Sequence, residues 1–230
     1  KGAVYEPGAS ATVEWLSRPI RPGPVGDPYG LSGCEPQPVQ RTEGTVQVWL
    51  SPFQDRRDGY TCGDPHEARM VLERDGVVVG EADTYWSELP VEPGPGTFRL
   101  TYEQSGFDPY AHESSSVWTF GSTGPGLLPL VIVDYDLPLD VRNRPTSRTA
   151  KFTVDQVTGA PDAPVAGLDV WTSVDRGATW QAAPVTPRRN GRFDVTLPRA
   201  AEGTAVSLRV DARDTAGNRL EQTLLDTYVA

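Results

Sequence analysis

The chain has 230 residues, and its 31 acidic and 21 basic side chains give a formal net charge of −10. Because nucleic acids and anionic membranes attract basic surfaces, this charge argues against both as partners, and no apolar run is long enough to span a membrane. The length is sufficient for two ordinary domains. Glycine (23) and proline (22) are abundant, which favours many short strands joined by turns.

Residues 1–123 are predicted to form a first β-sandwich. Asp75-Gly76 lies between two β-rich runs, and this dipeptide is typical of a tight hairpin turn. Alternating apolar and polar residues predict the other strands. Those strands are Ala11–Leu16, Thr45–Leu50, Thr97–Glu103 and Ser114–Phe120, and the hairpin covers Ala68–Glu81.

Two irregular segments, Ser17–Thr42 and Ser51–Pro65, are predicted to be surface loops because they are rich in proline, glycine and polar residues. They contain the two cysteines, Cys34 and Cys62. In a secreted protein these would form a disulfide that closes a loop of about 28 residues and contributes about 3 kcal/mol. A zinc site is the alternative, but the spacing of the two histidines from the cysteines is not that of a zinc finger.

Residues 124–230 are predicted to form a second β-sandwich, and the domain boundary lies within the small and turn-forming residues of Gly121–Leu128. Seven short strands separated by frequent turn signals are typical of an immunoglobulin or fibronectin type III sandwich. The fold class expected for the whole chain is therefore all-β, with two such domains in tandem. The strands of the second domain are Leu130–Tyr135, Ala150–Val157, Leu168–Ser173, Thr179–Ala183, Gly191–Leu197, Ala205–Asp211 and Thr223–Val229.

The segment Ser173–Trp180 matches the pattern S-x-D-x-G-x-T-W, which resembles the Asp-box hairpin of sialidases and other secreted β-proteins. Asp175 is expected to accept hydrogen bonds from turn amides, with a positive φ at Gly177. Thr179 completes the pattern, and Trp180 is expected to cover the turn. A single copy indicates a structural hairpin rather than a ligand site.

Calcium is the one cofactor that the sequence suggests, because it binds carboxylate and amide oxygens. Asp211, Asp214 and Asn218 form one oxygen-rich cluster. A second cluster contains three aspartates, namely Asp134, Asp136 and Asp140. The spacing is not that of an EF-hand, and turns capped by Asp or Asn side chains explain it equally well.

Exposed aromatic residues could bind a ligand by stacking. Trp49, Trp118 and Trp171 lie within alternating strands and are predicted to pack in the core. The loop residues Tyr60, Tyr85, Trp86 and Tyr110 are the binding candidates, with Trp86 the one most expected to be exposed.

Several segments in the same order resemble the C-terminal region of large subtilisin-like serine peptidases that actinobacteria secrete. The resemblance covers roughly Val46 to the C terminus, and the motifs D-T/S-G, H-G-T-H and G-T-S-M of the catalytic domain are not found. It therefore implies an extracellular accessory region with no catalytic residue, preceded by a signal and a protease domain upstream in the same precursor. The segments are RDGVVVGE (74–81), GTFRLTYE (96–103), SSSVWTF (114–120), LPLVIVDYDLPLDVRNR (128–144), VWTSVDRGATW (170–180) and VDARDTAGN (210–218).

Three functions remain open at this point. The first is a non-catalytic region that stabilises or positions the protease, or binds its extracellular polymer or protein substrate. The second is a free-standing carbohydrate- or protein-binding module, which predicts exposed tryptophans. The third is a sandwich-fold hydrolase, which predicts a cleft with two carboxylates, one of them with a perturbed pKa.

Overall fold

A computed structural model describes residues 18–24, 38–55, 60–61, 63–107 and 111–230. The all-β prediction is confirmed, and over these residues no helix is long and apolar enough to cross a membrane. The strands of the first half are β1 (Arg21–Gly23), β2 (Gln40–Arg41), β3 (Thr45–Trp49), β4 (Ser51–Gln54), β5 (Tyr60–Thr61), β6 (Glu67–Arg74), β7 (Val77–Ala82), β8 (Trp86–Pro90), β9 (Gly96–Phe107), β10 (Ala111–Ser122) and β11 (Gly126–Leu127). Those of the second half are β12 (Val131–Asp136), β13 (Thr149–Gln156), β14 (Val165–Ser173), β15 (Gln181–Ala182), β16 (Val185–Pro187), β17 (Arg192–Thr196), β18 (Ala205–Asp214) and β19 (Arg219–Val229).

The strands form four sheets in the described part of the chain. The long sheet has eight strands in the order β15-β14-β18-β19-β10-β9-β6-β7. The first short sheet has the order β11-β2-β3-β8, and the second short sheet has the order β12-β13-β17-β16. A three-stranded end sheet has the order β1-β4-β5.

Both halves follow the strand distribution of an immunoglobulin-like sandwich. In the first half, β2, β3 and β8 lie in one sheet, and β7, β6, β9 and β10 lie in the other. In the second half, β12, β13 and β17 lie in one sheet with β16, and β15, β14, β18 and β19 lie in the other. In each half the alternation along the strands buries one face of each sheet, as the sequence predicts.

The two halves meet through their last long strands. β10 pairs antiparallel with β19 from Ser114 opposite Leu224 to Thr119 opposite Arg219. This pairing makes one continuous sheet out of two four-stranded sheets, which the predicted tandem arrangement did not include. The hydrophobic core is also continuous, since buried residues from Val39 to Tyr228 form one cluster.

The prediction that Ser17–Thr42 and Ser51–Pro65 are only surface loops is wrong in part. β1 and β4 pair within these segments, and every residue of the two strands is buried. Ile20 and Phe53 form a small apolar cluster at this point. The predicted strand Ala11–Leu16 lies outside the described residues.

The end sheet is attached to both halves by buried polar groups, and its bond to the first half runs from Gln104 Nε2 in β9 to the carbonyl of Pro52 at 2.9 Å. Arg21 donates to Gln54 Oε1 at 2.8 Å and to Asp134 Oδ1 at 2.8 Å, and Asp134 lies in β12 of the second half. Gln222 Nε2, in β19, donates to the carbonyl of Pro22 at 3.1 Å. Because one arginine and one glutamine join three sheets, the end sheet closes one end of the junction between the halves.

Candidate functional site

The outward face of the first short sheet carries two stacked tryptophans. Trp49 in β3 is directly opposite Trp86 in β8, and their ring centroids are 5.6 Å apart at an interplanar angle of 25°. Val46 and Val48 on the other face of β3 are buried. Trp86 is 50% exposed and Trp49 is half-buried. The pair therefore lies at the surface, and the prediction that Trp49 packs in the core is wrong.

A row of polar side chains lies beside the tryptophan pair on the same face. Gln40 Nε2 donates to Gln47 Oε1 at 2.7 Å, and Gln47 Nε2 donates to Glu88 Oε1 at 3.0 Å. These three side chains cross β2, β3 and β8, because Gln40 is paired with Gln47 and Gln47 with Glu88. We call these three residues and the two tryptophans the tryptophan face.

The alternation of β3 contained the signal for this site. Thr45, Gln47 and Trp49 share one face of the strand, and a strand that places a tryptophan on its polar face presents it outward. Trp171 gives the same signal, since it lies opposite Arg209 on the outward face of the long sheet and is half-buried. The prediction of a core position is therefore wrong for Trp171 as well, whereas Trp118 is 1% exposed.

The other predicted binding residues do not join the tryptophan face in the described part of the chain. Tyr85 is partly buried against the core, and burial, followed by a hydrogen bond with Asp64, raises the pKa of its hydroxyl. The backbone of Tyr60 lies in β5, but its side chain and the whole of Tyr110 lie outside the described residues.

The Asp-box pattern forms a closed turn between β14 and β15. Ser173 Oγ donates to Asp175 Oδ1 at 2.6 Å, and the Gly177 amide donates to Ser173 Oγ at 2.8 Å. Thr179 donates to Asp175 twice, from its amide at 2.9 Å and its hydroxyl at 2.6 Å. The hydrogen bond from Ser173, followed by those from Thr179, lowers the pKa of Asp175 to about 2.

The glycine and the tryptophan of this turn also take the places that the pattern predicts. Gly177 has a φ of +85°, and a Cβ at this position would lie 3.1 Å from the Trp180 ring. The guanidinium of Arg209 lies 4.3 Å from the centroid of the same ring. The polar groups of Ser173, Asp175 and Thr179 thus bond to one another, so their arrangement explains the turn without a ligand.

The calcium candidates are occupied by protein donors. Asp214 accepts hydrogen bonds from the amides of Ala216 and Asn218, both at 2.9 Å, and from Asn218 Nδ2 at 2.7 Å. Asp211 is bound by Arg213 at 3.1 Å and by Arg219 at 2.6 Å. These contacts close the turn between β18 and β19, and no group of three metal-binding side chains occurs in the described ranges.

Two aspartates of the second acidic cluster also bind protein groups. Asp134 pairs with Arg21, and Asp140 accepts hydrogen bonds from the amides of Arg142 and Arg144. The bond from Arg144, followed by that from Arg142, lowers the pKa of Asp140. Asp136 ends β12 and is exposed. Both Asp134 and Asp140 therefore have structural partners.

Neither Cys34 nor Cys62 is among the described residues, so the disulfide stays a prediction. The side chain of His112 also lies outside them, whereas His66 is exposed and its ring lies over Gly106. A Cβ at Gly106 would lie 2.3 Å from His66 Nδ1. This contact leaves room only for glycine at the crossing.

A groove of about 480 Å³ lies on the long sheet where the two halves meet. Glu67 accepts a hydrogen bond from Ser105 at 3.3 Å, and Glu113 pairs with Arg176 at 3.3 Å. Glu103 also lines the groove. The hydrolase hypothesis requires two carboxylates in a cleft, and it can be tested at this groove, which Glu67, Glu103 and Glu113 line.

Comparison with known proteins adds little to these observations. No family model and no curated protein matches the chain. A solved chimeric titin Z1Z2-Z1Z2 tandem, functionalised with an exogenous GRGDS peptide from fibronectin, is similar over 82% of this chain and 91% of that chain. The sequence identity is 13% and the TM-score is 0.29, a likeness too distant to carry an argument about function.

Proposed function

We propose that this chain is a non-catalytic accessory region of a secreted subtilisin-like serine peptidase, which positions the protease and binds its substrate surface. The resemblance of six ordered segments to such C-terminal regions supports the protease association. The observation that carries the accessory role is the joining of two sandwiches into one eight-stranded sheet. A continuous sheet fixes the position of the two sandwiches relative to each other, as a spacer or platform requires.

The end sheet supports this role at the junction. Arg21 and Gln222 tie it to β12 and β19, and both side chains are buried. Breaking such contacts leaves polar groups buried without partners, which costs several kcal/mol. The two halves are therefore held in one orientation, which suits a region that presents a surface to an extracellular substrate.

The test is the sequence of the gene upstream of the codon for Lys1, together with the N-terminal sequence of the secreted product. We expect a secretion signal and a domain with the Asp, His and Ser motifs of subtilisin-like peptidases. A signal that leads directly into Lys1 would contradict the protease association.

A functional test compares the full precursor with a version that lacks residues 1–230. We expect equal hydrolysis of a small soluble peptide by both versions, because the catalytic domain would be intact. We expect slower hydrolysis of insoluble protein or polymer-bound substrate by the shortened version. Equal rates on every substrate would contradict the substrate-binding role.

The second candidate is a free-standing binding module, and the tryptophan face is the observation that favours it. Half of the Trp86 side chain is in contact with solvent although it is one of the largest apolar groups in the chain. Tryptophan is enriched among the residues that contribute most to binding at interfaces, and a stacked pair at the surface gives a larger apolar patch than a single side chain. Binding by the isolated chain would support this function whatever lies upstream.

A further inference from the structure

We propose that the tryptophan face binds a neutral polysaccharide of β-linked pyranose sugars, with one sugar stacked on Trp86 and its neighbour hydrogen-bonded by Gln47 and Glu88. This inference rests on the binding role in the proposed function and names its ligand. It is independent of the protease association, because the same face would be present in a free-standing module.

The geometry of the tryptophan pair leaves part of the Trp86 ring available. Trp86 stacks on Trp49 at 5.6 Å, so one side of its ring is covered and held in place. Trp86 is nevertheless 50% exposed, so part of its ring surface is available to a ligand. A ring that is fixed by a neighbour loses little conformational freedom on binding, which favours affinity. A flat, fixed apolar surface of this size fits the C–H face of a single pyranose.

The polar row supplies the groups that recognise hydroxyls. Each glutamine amide has two N–H groups, and the row uses one from Gln40 and one from Gln47. Glu88 is exposed and uses one of its two oxygens in the row. The row therefore offers both donors and acceptors, and a sugar hydroxyl both donates and accepts. Because the side chains bond to one another, they are oriented before the ligand arrives.

The spacing along the strands places the polar row next to the tryptophan pair. Gln47 precedes Trp49 by two residues in β3, and Glu88 follows Trp86 by two residues in the antiparallel strand β8. Two residues along a strand correspond to about 7 Å. A chain of sugars that runs along β3 and β8 would therefore place one ring over the tryptophan and the next ring over the polar row.

The net charge of the protein and the small area of the tryptophan face favour a neutral polysaccharide over charged polymers and protein partners. The net charge of −10 and the carboxylate of Glu88 oppose nucleic acids and acidic polysaccharides. A protein partner or a second copy needs about 800 Å² from each side with an apolar centre, and one half-exposed tryptophan is too small for that centre. A β-linked chain of equatorial sugars is flat and has apolar C–H faces, so it fits a narrow aromatic strip.

The experiment measures retention of the intact chain on amorphous cellulose and on insoluble chitin, and titration with cellohexaose and chitohexaose followed by tryptophan fluorescence. We expect binding to at least one of these β-linked polymers, with a fluorescence change on titration. Trp86→Ala should weaken binding about tenfold or more, and Gln47→Ala should weaken it by a smaller factor. Lys151→Ala, on the equivalent face of the second short sheet, is the matched control and should bind like the native chain.

Four results would overturn the proposal. They are no binding to any β-linked polymer, equal binding by the folded Trp86→Ala variant, equal binding to α-linked amylose, and binding that requires an acidic polymer or a protein. Circular dichroism of each variant separates loss of binding from loss of folding. A negative result here leaves the protease association intact, because that association is tested by the upstream gene sequence alone.

Discussion

The two short sheets occupy equivalent places in the two halves, but their outward faces differ in chemistry. On the first, β3 and β8 present Trp49 opposite Trp86. On the second, β13 and β17 present Lys151 opposite Asp194, and the residues beside them are small or charged. The inward faces are apolar in both. The same strand plan is thus built without an outward aromatic pair, so folding alone does not account for the tryptophans.

The turns that lead into the outer edges of the long sheet differ as well. Between β6 and β7 a tight turn uses positive φ angles at Asp75 (51°) and Gly76 (82°). Between β14 and β15 the longer Asp-box turn is held by hydrogen bonds among the side chains and amides of Ser173, Asp175 and Thr179. The first turn is built on positive φ angles and the second on the hydrogen bonds of the Asp175 carboxylate, whose pKa is lowered, so the second turn should respond to acid.

The largest loss of stability should come from Trp118→Ala, which tests whether the two halves unfold as one unit. Trp118 is 1% exposed in β10, and its Nε1 donates to the carbonyl of Val131 in β12 at 3.0 Å. The truncation leaves a large cavity and an unpaired carbonyl, so we expect the free energy of unfolding to fall by about 3–5 kcal/mol. Denaturant titration followed by fluorescence and circular dichroism should still give one transition. Two separate transitions would show that the halves are independent.

Arg21→Ala should have the next largest effect, because Arg21 is buried and joins the end sheet of the first half to β12 of the second. The change leaves Gln54 and Asp134 without their arginine partner, and we expect a loss of about 3 kcal/mol in denaturant titration. The double substitution Arg21→Met with Asp134→Leu removes both charges and should recover part of this loss. An Arg21→Ala variant as stable as the native chain would contradict the bridging role of the end sheet.

Alternation along single strands was enough to predict most of this fold. Seven of the eight strands from β12 to β19, and the turn at Asp75-Gly76, are where periodicity and turn chemistry predict them, whereas β16 was not predicted. The pairing of β10 with β19 was not predictable in this way. Alternation of apolar and polar residues shows which face of a strand is buried, but it does not show which strand lies beside it. The end sheet was missed because β1 has three residues, one of them the buried Arg21, within a proline-rich segment.

The tryptophan face was predictable only in part. The sequence predicts that Trp86 is exposed, and the alternation of β3 places Trp49 on the same face as Gln47. The frequent burial of tryptophan in proteins favours the opposite prediction, a core position for Trp49. The pairing of β3 with β8, which brings Trp49 to Trp86, depends on strands separated by β6 and β7. No local pattern connects them.

Asp175→Asn should have a smaller effect that depends on pH. The pKa of Asp175 in the folded protein is about 2, below the value of about 3.9 for an unfolded aspartate. The folded state therefore gains stability from the charged carboxylate above about pH 4, and this gain is lost as the pH falls toward about 2. We expect the difference in Tm between the native chain and the variant to shrink over that interval. Asp162→Asn, in an exposed loop, is the control, and a difference that does not change with pH would contradict the assignment.

Among the substitutions of residues with a proposed role, Trp86→Ala should have the smallest effect on stability, and its size tests whether the two short sheets differ in folding or in binding. A cross-strand aromatic pair contributes about 0.2–1 kcal/mol, and a half-exposed side chain leaves no closed cavity when it is removed. We therefore expect a loss of about 1 kcal/mol or less, against about 0.5 kcal/mol or less for Lys151→Ala on the second short sheet. If Trp86→Ala instead costs as much as Trp118→Ala, the pair is a structural staple between β3 and β8, and the difference between the faces belongs to folding. A small loss of stability combined with a large loss of polysaccharide binding would assign the tryptophans to recognition. A residue that serves only the fold would lose binding in proportion to its loss of stability.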